Sequence, residues 1–347
     1  MKKRILNLIV LTNFLLFIGC AKSGPVQLNV MTHDNFAVSD AVIKEFEKTN
    51  DVKVNFILSG DAGSALNQAI LTKASPIADV FYGVDNTFLS RALAANIYES
   101  YSSPMLINVP DQFQLDKNHF ALPVDFGDVC INYDKAYFAG KKLGIPQTLD
   151  DLLKPEYRGL LVVENPAISS PGLAFLLATI ANYGQDGYLN YWQQLRANQL
   201  VVVNDWNTAY YTNFSGSSGK GQQPLVVSYN TSPAAEVVYS SEKLNAAPTA
   251  SLVGTNMCFR QIEFVGILKV THQMALAQKF VDFMLSKTFQ EDIPLKMYMF
   301  PANASASLPA EFINYAQMPE KPAFIDSEKI AANLDTWIQQ WRKVVLE

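Results

Sequence analysis

"DVKVNFILSGDAGSALNQAILTKASPIADVFYGVD", Asp51 to Asp85, decides the fold. Val52, Val54, Phe56 and Leu58 alternate with polar residues and end at Ser59-Gly60, which predicts a half-buried strand. "DAGSALNQAILTKA" then has helical spacing, and "IADVFYGVD" is a short apolar run of strand type. Strand, helix and strand with short joints form a βαβ unit, whose two strands lie parallel. Upstream, "VQLNVMTHDNF" (Val26–Phe36) predicts a first strand. It is followed by the amphipathic helix "SDAVIKEFEKTN", with Ser39 or Asp40 as cap and Val42, Ile43 and Phe46 on one face. Downstream, "NTFLSRALAANIY" returns to helix. The alternation implies a doubly wound α/β layer with a mainly parallel sheet. In such sheets ligands sit beyond the carboxyl ends of the strands. The loops beginning at His33, Asp61 and Asp85 are therefore the ones to watch.

The alternation resumes further on. "FALPVDFGDVCINYD" is strand-rich and leaves the N-terminal layer. "ISSPGLAFLLATIANYG" predicts a helix capped by Ser169 or Ser170, with Pro171 in its first turn. "DWNTAYYTNF" predicts a short aromatic-rich helix, "SGSSGKGQQ" a flexible loop, and "NMCFRQIEFVGILKV" a long strand. Gly219-Lys220 lacks the spacing of a phosphate-cradling loop. Two amphipathic helices close the chain. The first presents Leu276, Phe280, Phe283 and Met284; the second presents Ile330, Leu334, Trp337, Ile338 and Trp341, whose tryptophans belong to a core stripe.

With 347 residues the chain exceeds one ordinary core, and 49% apolar against 17% charged residues marks it as folded. "MKKR" followed by "ILNLIVLTNFLLFIG" has the form of an export signal, too short and polar for a membrane span. It ends at "LFIGC", which resembles a bacterial lipobox with Gly19 before Cys20, although Phe17 stands where leucine is usual. Residues 1–20 are expected to be the signal, Cys20 the acylated first residue, and 21–27 a tether. Loss of Lys2, Lys3 and Arg4 leaves 24 basic against 32 acidic residues, a net charge of −8. An acidic body without a basic stripe argues against nucleic acid. Cys130 and Cys258 remain; they form no framework or metal motif, and either pair once or stay as buried thiols.

No catalytic or metal constellation stands out. GxSxG is absent, and His33, His119 and His272 form no metal spacing; the expectation is no enzyme, no cofactor and no metal. Asp150 and Asp151 have the character of a solvated helix face. Aromatics are more informative. Trp206, Tyr210, Tyr211, Tyr229 and Tyr298 fall near joints or in loops, beside small polar residues. Ring faces attract a flat cation, at roughly 0.5–2 kcal/mol each. Helix starts at "SSPG" and "DAGS" suit a phosphate or polar edge, and Asp61 and Asp85 suit an amino group.

In "THDNF", "DAGSALNQ", "ADVFYGVDN", "SSPGLAFLL", "DWNTAY", "SYNTSP" and "AQKFVDFMLSKTFQ" followed by "IPLKMYMFP", the chain resembles the thiamine-binding proteins of bacterial ABC importers. These are a branch of the type II periplasmic binding proteins, and the resemblance runs from Leu28 to Lys343. It implies two α/β lobes joined by crossing hinge strands: 28–129 with 262–301 as the N-terminal lobe and 130–261 as the C-terminal lobe, followed by a helical segment, 302–347. It implies a monomer, anchored at the cell envelope, that delivers thiamine or its mono- or diphosphate to a permease and its ATPase without catalysis. The ligand positions it implies are His33, Asp61, Ala62, Ser169, Ser170, Gly172, Trp206, Tyr210, Tyr229, Ser232 and Tyr298. Ser169 and the amides of Ser170–Gly172 would meet a phosphate or hydroxyl end. Trp206, Tyr229 and Tyr298 would cage the thiazolium, and Asp61, supported by the Ala62 amide, would meet a polar edge. His33 and Tyr298 replace the Tyr and Trp usual in that family, and a Trp usual shortly after His33 is absent. Cys130 and Cys258 fall on the implied crossing strands, where a bridge is conceivable. Within the same fold the adjacent Tyr210 and Tyr211 leave a ferric-ion binder as the alternative.

Overall fold

The computed structural model describes residues 26–218 and 220–347. The expected signal, the lipidation site Cys20 and most of the tether lie outside these residues. Among the described residues no helix is long and apolar enough to cross a membrane.

Among the described residues eleven strands form one sheet: β1 (Val26–Thr32), β2 (Val52–Leu58), β3 (Val80–Asp85), β4 (Tyr98–Glu99), β5 (Leu122–Asp134), β6 (Leu161–Glu164), β7 (Val201–Val203), β8 (Leu225–Tyr229), β9 (Thr249–Leu252), β10 (Phe259–Leu268) and β11 (Phe300–Pro301). The main path runs β2-β1-β3-β10-β5-β8-β6-β7. At one end β2, β1 and β3 are parallel; at the other β8, β6 and β7 are parallel. The expected mainly parallel sheet is therefore corrected at its centre. There β10 runs antiparallel to both β3 and β5, and β5 antiparallel to β8. Two long strands make the join: β10, with 10 residues, borders the first parallel group through β3, β5, with 13, borders the second through β8, and the two pair with each other between them.

Burial follows the sequence pattern. β3 is buried along its whole length, as a strand covered on both faces must be. Edge strand β2 keeps its alternation through Phe56, while Leu58 is exposed at its end. Helix Asp40–Asn50 buries Ile43 and Phe46, and Phe46 packs edge-on against Phe280 of helix Met274–Met284. Ser39 is the N-cap residue, yet its hydroxyl donates to Asp292 at 2.6 Å instead of capping. The last helix, Ser327–Val345, buries Ile330, Leu334, Trp337 and Trp341. Trp341 meets Trp192 of helix Ser170–Ala197 edge-on, with centroids 5.5 Å apart.

The β5–β10 register pairs Phe259 with Val129. One step along, Cys258 faces Cys130, and the two form a disulfide with Cα atoms 4.3 Å apart. Of the two alternatives left by the sequence, the bridge is the one present. The expected loop "SGSSGKGQQ" is also corrected: Ser215–Ser218 form a helical turn. It is held by Ser215, which donates to Asp134 at 2.6 Å, and by Ser217, which donates to the Tyr210 carbonyl.

Candidate functional site

β1, β2, β6, β7 and β8 end at one cavity of about 680 Å³, whereas the loop at Asp85 after β3, also expected there, contributes no lining residue. These five parallel strands deliver residues from their carboxyl ends there, the usual outcome for this kind of sheet. His33 follows β1, Asp61 follows β2, Ser169 and Ser170 follow β6, Trp206 follows β7, and Tyr229 ends β8.

Of the residues implied by the resemblance, His33, Asp61, Ala62, Ser170, Trp206, Tyr210, Tyr229, Ser232 and Tyr298 line this cavity. Ser169 and Gly172 do not. Ser169 is the fully buried N-cap residue of helix Ser170–Ala197, its hydroxyl near the Asp61 carboxyl but short of a well-formed hydrogen bond. A Cβ on Gly172 would lie 2.5 Å from the Glu164 carbonyl oxygen, so this glycine lets the helix pack against β6. The Ala62 amide is already engaged, donating to Asp61 Oδ1 at 3.2 Å.

The aromatic wall is built around Thr208–Asn213, where the short aromatic-rich helix expected is a π-helical turn. Trp206 and Tyr210 stack at 4.8 Å with planes 14° apart, and Tyr211 stands edge-on to both. The Trp206 indole N–H donates to Ser228 Oγ at 2.9 Å, and Ser228 Oγ lies 2.9 Å from Ser232 Oγ. Buried hydroxyls thus fix the indole plane. The Tyr210 hydroxyl donates to Glu236 at 2.7 Å. Across the cavity Tyr298, in left-handed backbone at φ 56°, meets Tyr239 edge-on at 5.1 Å. The Tyr229 ring packs over Gly127, and Gln261 donates to its hydroxyl at 3.1 Å.

The floor is ionisable. His33 Nε2 lies 3.4 Å from Glu263 Oε1, and both side chains are buried. Gly83 makes this placement possible: it has φ 110°, and any Cβ there would lie 2.5 Å from the imidazole Cδ2. Burial works against charge on His33, but Glu263, with Asp61 and Asp34 further off, outweighs it and raises the pKa above its usual value. Burial alone would raise Glu263, yet His33 and the hydrogen bonds around it bring it below the usual range. The Tyr82 hydroxyl sits 2.5 Å from Asp125 and 2.9 Å from Glu263. Burial and the Glu263 charge push Asp125 well up, so the negative charge of that pair resides on Glu263. Burial also raises Asp61 to about 6, against the favourable influence of Ser169 and His33. Asp85 is raised to about 6 by burial too; Ser170 and Thr87 work against that, Thr87 with a hydrogen bond from its amide at 2.7 Å. Among the described residues no group of three or more His, Cys, Asp or Glu is placed to hold a metal ion.

Several lining residues escaped the sequence reading, chiefly Glu236, Glu263, Lys296, Met299 and Tyr239. Glu236 had a signal: it lies four residues after Ser232, on the same face of helix Ser232–Val238. Glu263 had none, because an acidic residue inside a strand pattern says nothing of what it faces.

A sequence profile of bacterial extracellular solute-binding proteins matches residues 75–333. The thiamine-binding periplasmic protein of Brucella melitensis is 32% identical over 347 residues, covering 97% of this chain and 98% of the relative. That of Escherichia coli is 31% identical over 323 residues, covering 92% and 93%. The solved structure of a periplasmic thiamin binding protein is similar with a TM-score of 0.79 at 29% identity, covering 92% of this chain and 96% of that one.

Proposed function

The chain belongs to the bacterial extracellular solute-binding proteins, and from that premise we propose that it captures thiamine or a thiamine phosphate for an ABC importer. The observation that carries the proposal is the cavity at the strand ends, where a stacked Trp206–Tyr210 pair shares the lining with Asp61, Glu236 and Glu263. Ring faces and carboxylates together suit a flat aromatic cation better than a metal ion or a sugar. The naming of the relatives as thiamine-binding supports the same ligand.

In this proposal Trp206, Tyr229 and Tyr298 face the thiazolium, and Asp61 and Ser232 meet its polar edges. Residues 28–129 with 262–301 act as one lobe and 130–261 as the other, with β5 and β10 as the strands between them. Ligand favours the closed arrangement through contacts made to both lobes. The protein releases its ligand unchanged to a permease and its ATPase, as an exported monomer tethered by lipid on Cys20.

Calorimetric titration of the chain from residue 21 onward tests the ligand, using thiamine, its mono- and diphosphate, and ferric citrate. Saturable heat with a thiamine species and none with ferric citrate is expected. Heat with ferric citrate alone would return the ferric alternative. Labelling with a radioactive fatty acid, lost in Cys20→Ser, checks the anchor.

A further inference from the structure

We infer that Tyr239 is a latch at the mouth of the cavity: it ties the two lobes together on the solvent side and sets how fast ligand leaves. The inference rests on the two-lobe and thiamine readings proposed above.

Two of the contacts that cross between the lobes border the cavity at different places. At one, the Gly63 amide donates to the Ile168 carbonyl at 3.1 Å. Gly63 is buried, and a Cβ there would lie 2.8 Å from that carbonyl oxygen, so backbone meets backbone. Asp61 and Ala62, just before it, line the cavity. At the other, the Tyr239 hydroxyl donates to the Leu295 carbonyl, and the Tyr239 ring stands edge-on to Tyr298 at 5.1 Å. Tyr239 and Tyr298 also line the cavity, yet Tyr239 is 53% exposed. Tyr239 is therefore at the mouth, whereas the Gly63 seam is closed to solvent.

Each half of the outer contact has a local cause. Tyr239 is the C-terminal cap residue of helix Ser232–Val238, which also carries Ser232 and Glu236 into the lining. Leu295 lies in the last turn of helix Lys287–Lys296, where backbone carbonyls run out of amide partners. The Met297 amide takes the Ile293 carbonyl, and the Tyr239 hydroxyl takes that of Leu295. Tyr298 follows in the left-handed turn with which helices usually end on glycine. A bulky residue is strained there, and the turn brings its ring against Tyr239. One side chain thus fills an orphan carbonyl and packs on a ring, both belonging to the opposite lobe.

This contact is built to open. The backbone seam at Gly63 parts only when a lobe moves as a body, but a half-exposed tyrosine swings away by side-chain rotation, and water then replaces its hydrogen bond. Its strength is that of one hydrogen bond and one ring contact. That slows release several-fold without holding the ligand permanently, as suits a protein that must yield its ligand to a permease.

The test uses light-driven oxidation by a ruthenium tris-bipyridyl complex with persulfate. This couples tyrosines in contact through a carbon–carbon bond that replaces one C–H bond on each ring; persulfate accepts the two electrons and the two protons go to solvent. Illuminated with radiolabelled thiamine bound, the protein should yield a Tyr239–Tyr298 cross-link in peptide mass spectrometry. The cross-linked fraction should release the label roughly tenfold or more slowly into excess unlabelled thiamine. Tyr239→Phe cannot form this cross-link, so light should leave its release rate unchanged. Without light, Tyr239→Phe keeps the ring but loses the hydroxyl, and should release thiamine roughly threefold or more faster than wild type while binding it no more slowly. Release from Tyr239→Phe at the wild-type rate would overturn the inference. So would absence of the cross-link, free exchange from cross-linked protein, or equal slowing by light in Tyr239→Phe. A wild type that binds no thiamine sinks the thiamine proposal instead, and illumination without ligand then decides whether the lobes meet at Tyr239.

Discussion

Lowering the pH through 6 should release the ligand by protonating Asp61. The carboxyl borders the cavity, and burial raises it from 3.8 to about 6 despite Ser169 and His33 nearby. A cation binds the ionised form, so the apparent dissociation constant grows by the factor 1 + 10^(pKa − pH), with pKa about 6. That factor is close to one at pH 7.5 and roughly tenfold at pH 5. The sign for folding is opposite. An aspartate whose folded pKa exceeds its unfolded value holds more protons when folded, so unliganded stability falls as pH rises from 3.8 toward 6. The rise is worth about 3 kcal/mol for a group this buried. Thiamine titrations from pH 5 to 8 measure the first effect, and urea unfolding without ligand over pH 4 to 7 measures the second. Asp61→Asn is the control, because asparagine still caps helix Ala62–Leu71 through its side-chain oxygen. It should bind more weakly at pH 7.5 and lose most of the slope. Wild-type affinity that stays flat down to pH 5, or an equally steep profile in Asp61→Asn, would refute the assignment of that charge.

Trp206→Ala removes the ring stacked on Tyr210 and should weaken thiamine by about 1–3 kcal/mol in calorimetry. Trp206→Phe, which keeps a ring but not the bond to Ser228, should fall between, and an Ala variant like wild type would remove Trp206 from the contact set. Thiol titration of denatured, unreduced protein should find neither Cys130 nor Cys258 free. Reduction should lower the urea midpoint by an equivalent of roughly 2–5 kcal/mol, since the bridge joins residues 128 apart. An unchanged midpoint would show that the sheet alone holds those strands. Gly172→Ala forces a methyl against the Glu164 carbonyl and should cost about 1–3 kcal/mol by thermal unfolding; a neutral change would mean that the helix start can shift freely.

Residues 51–85 alone carry the βαβ signal, because strand alternation and helical spacing arise from local geometry that tertiary context seldom reverses. For the same reason the sequence determined the core faces through Phe46, Phe280, Trp337 and Trp341, and the loops after β1 and β2 as places for His33 and Asp61. Trp206, Tyr229 and Tyr298 were legible as aromatics without a core stripe to join, and all three border the cavity. What joins distant segments was not legible. Whether the sheet centre is parallel depends on how β10 docks between β3 and β5, and no periodicity encodes a neighbour's direction. Whether Cys130 meets Cys258 follows from the β5–β10 register alone. The charge of the site belongs to the same class. Glu263 of β10 raises the pKa of His33, Glu236 gains its place from Tyr210, and Gly172 serves helix packing where a ligand contact was expected. Residue types are local, but burial and Coulomb partners are set by what the folded chain brings within a few ångströms, and only the tertiary structure decides that.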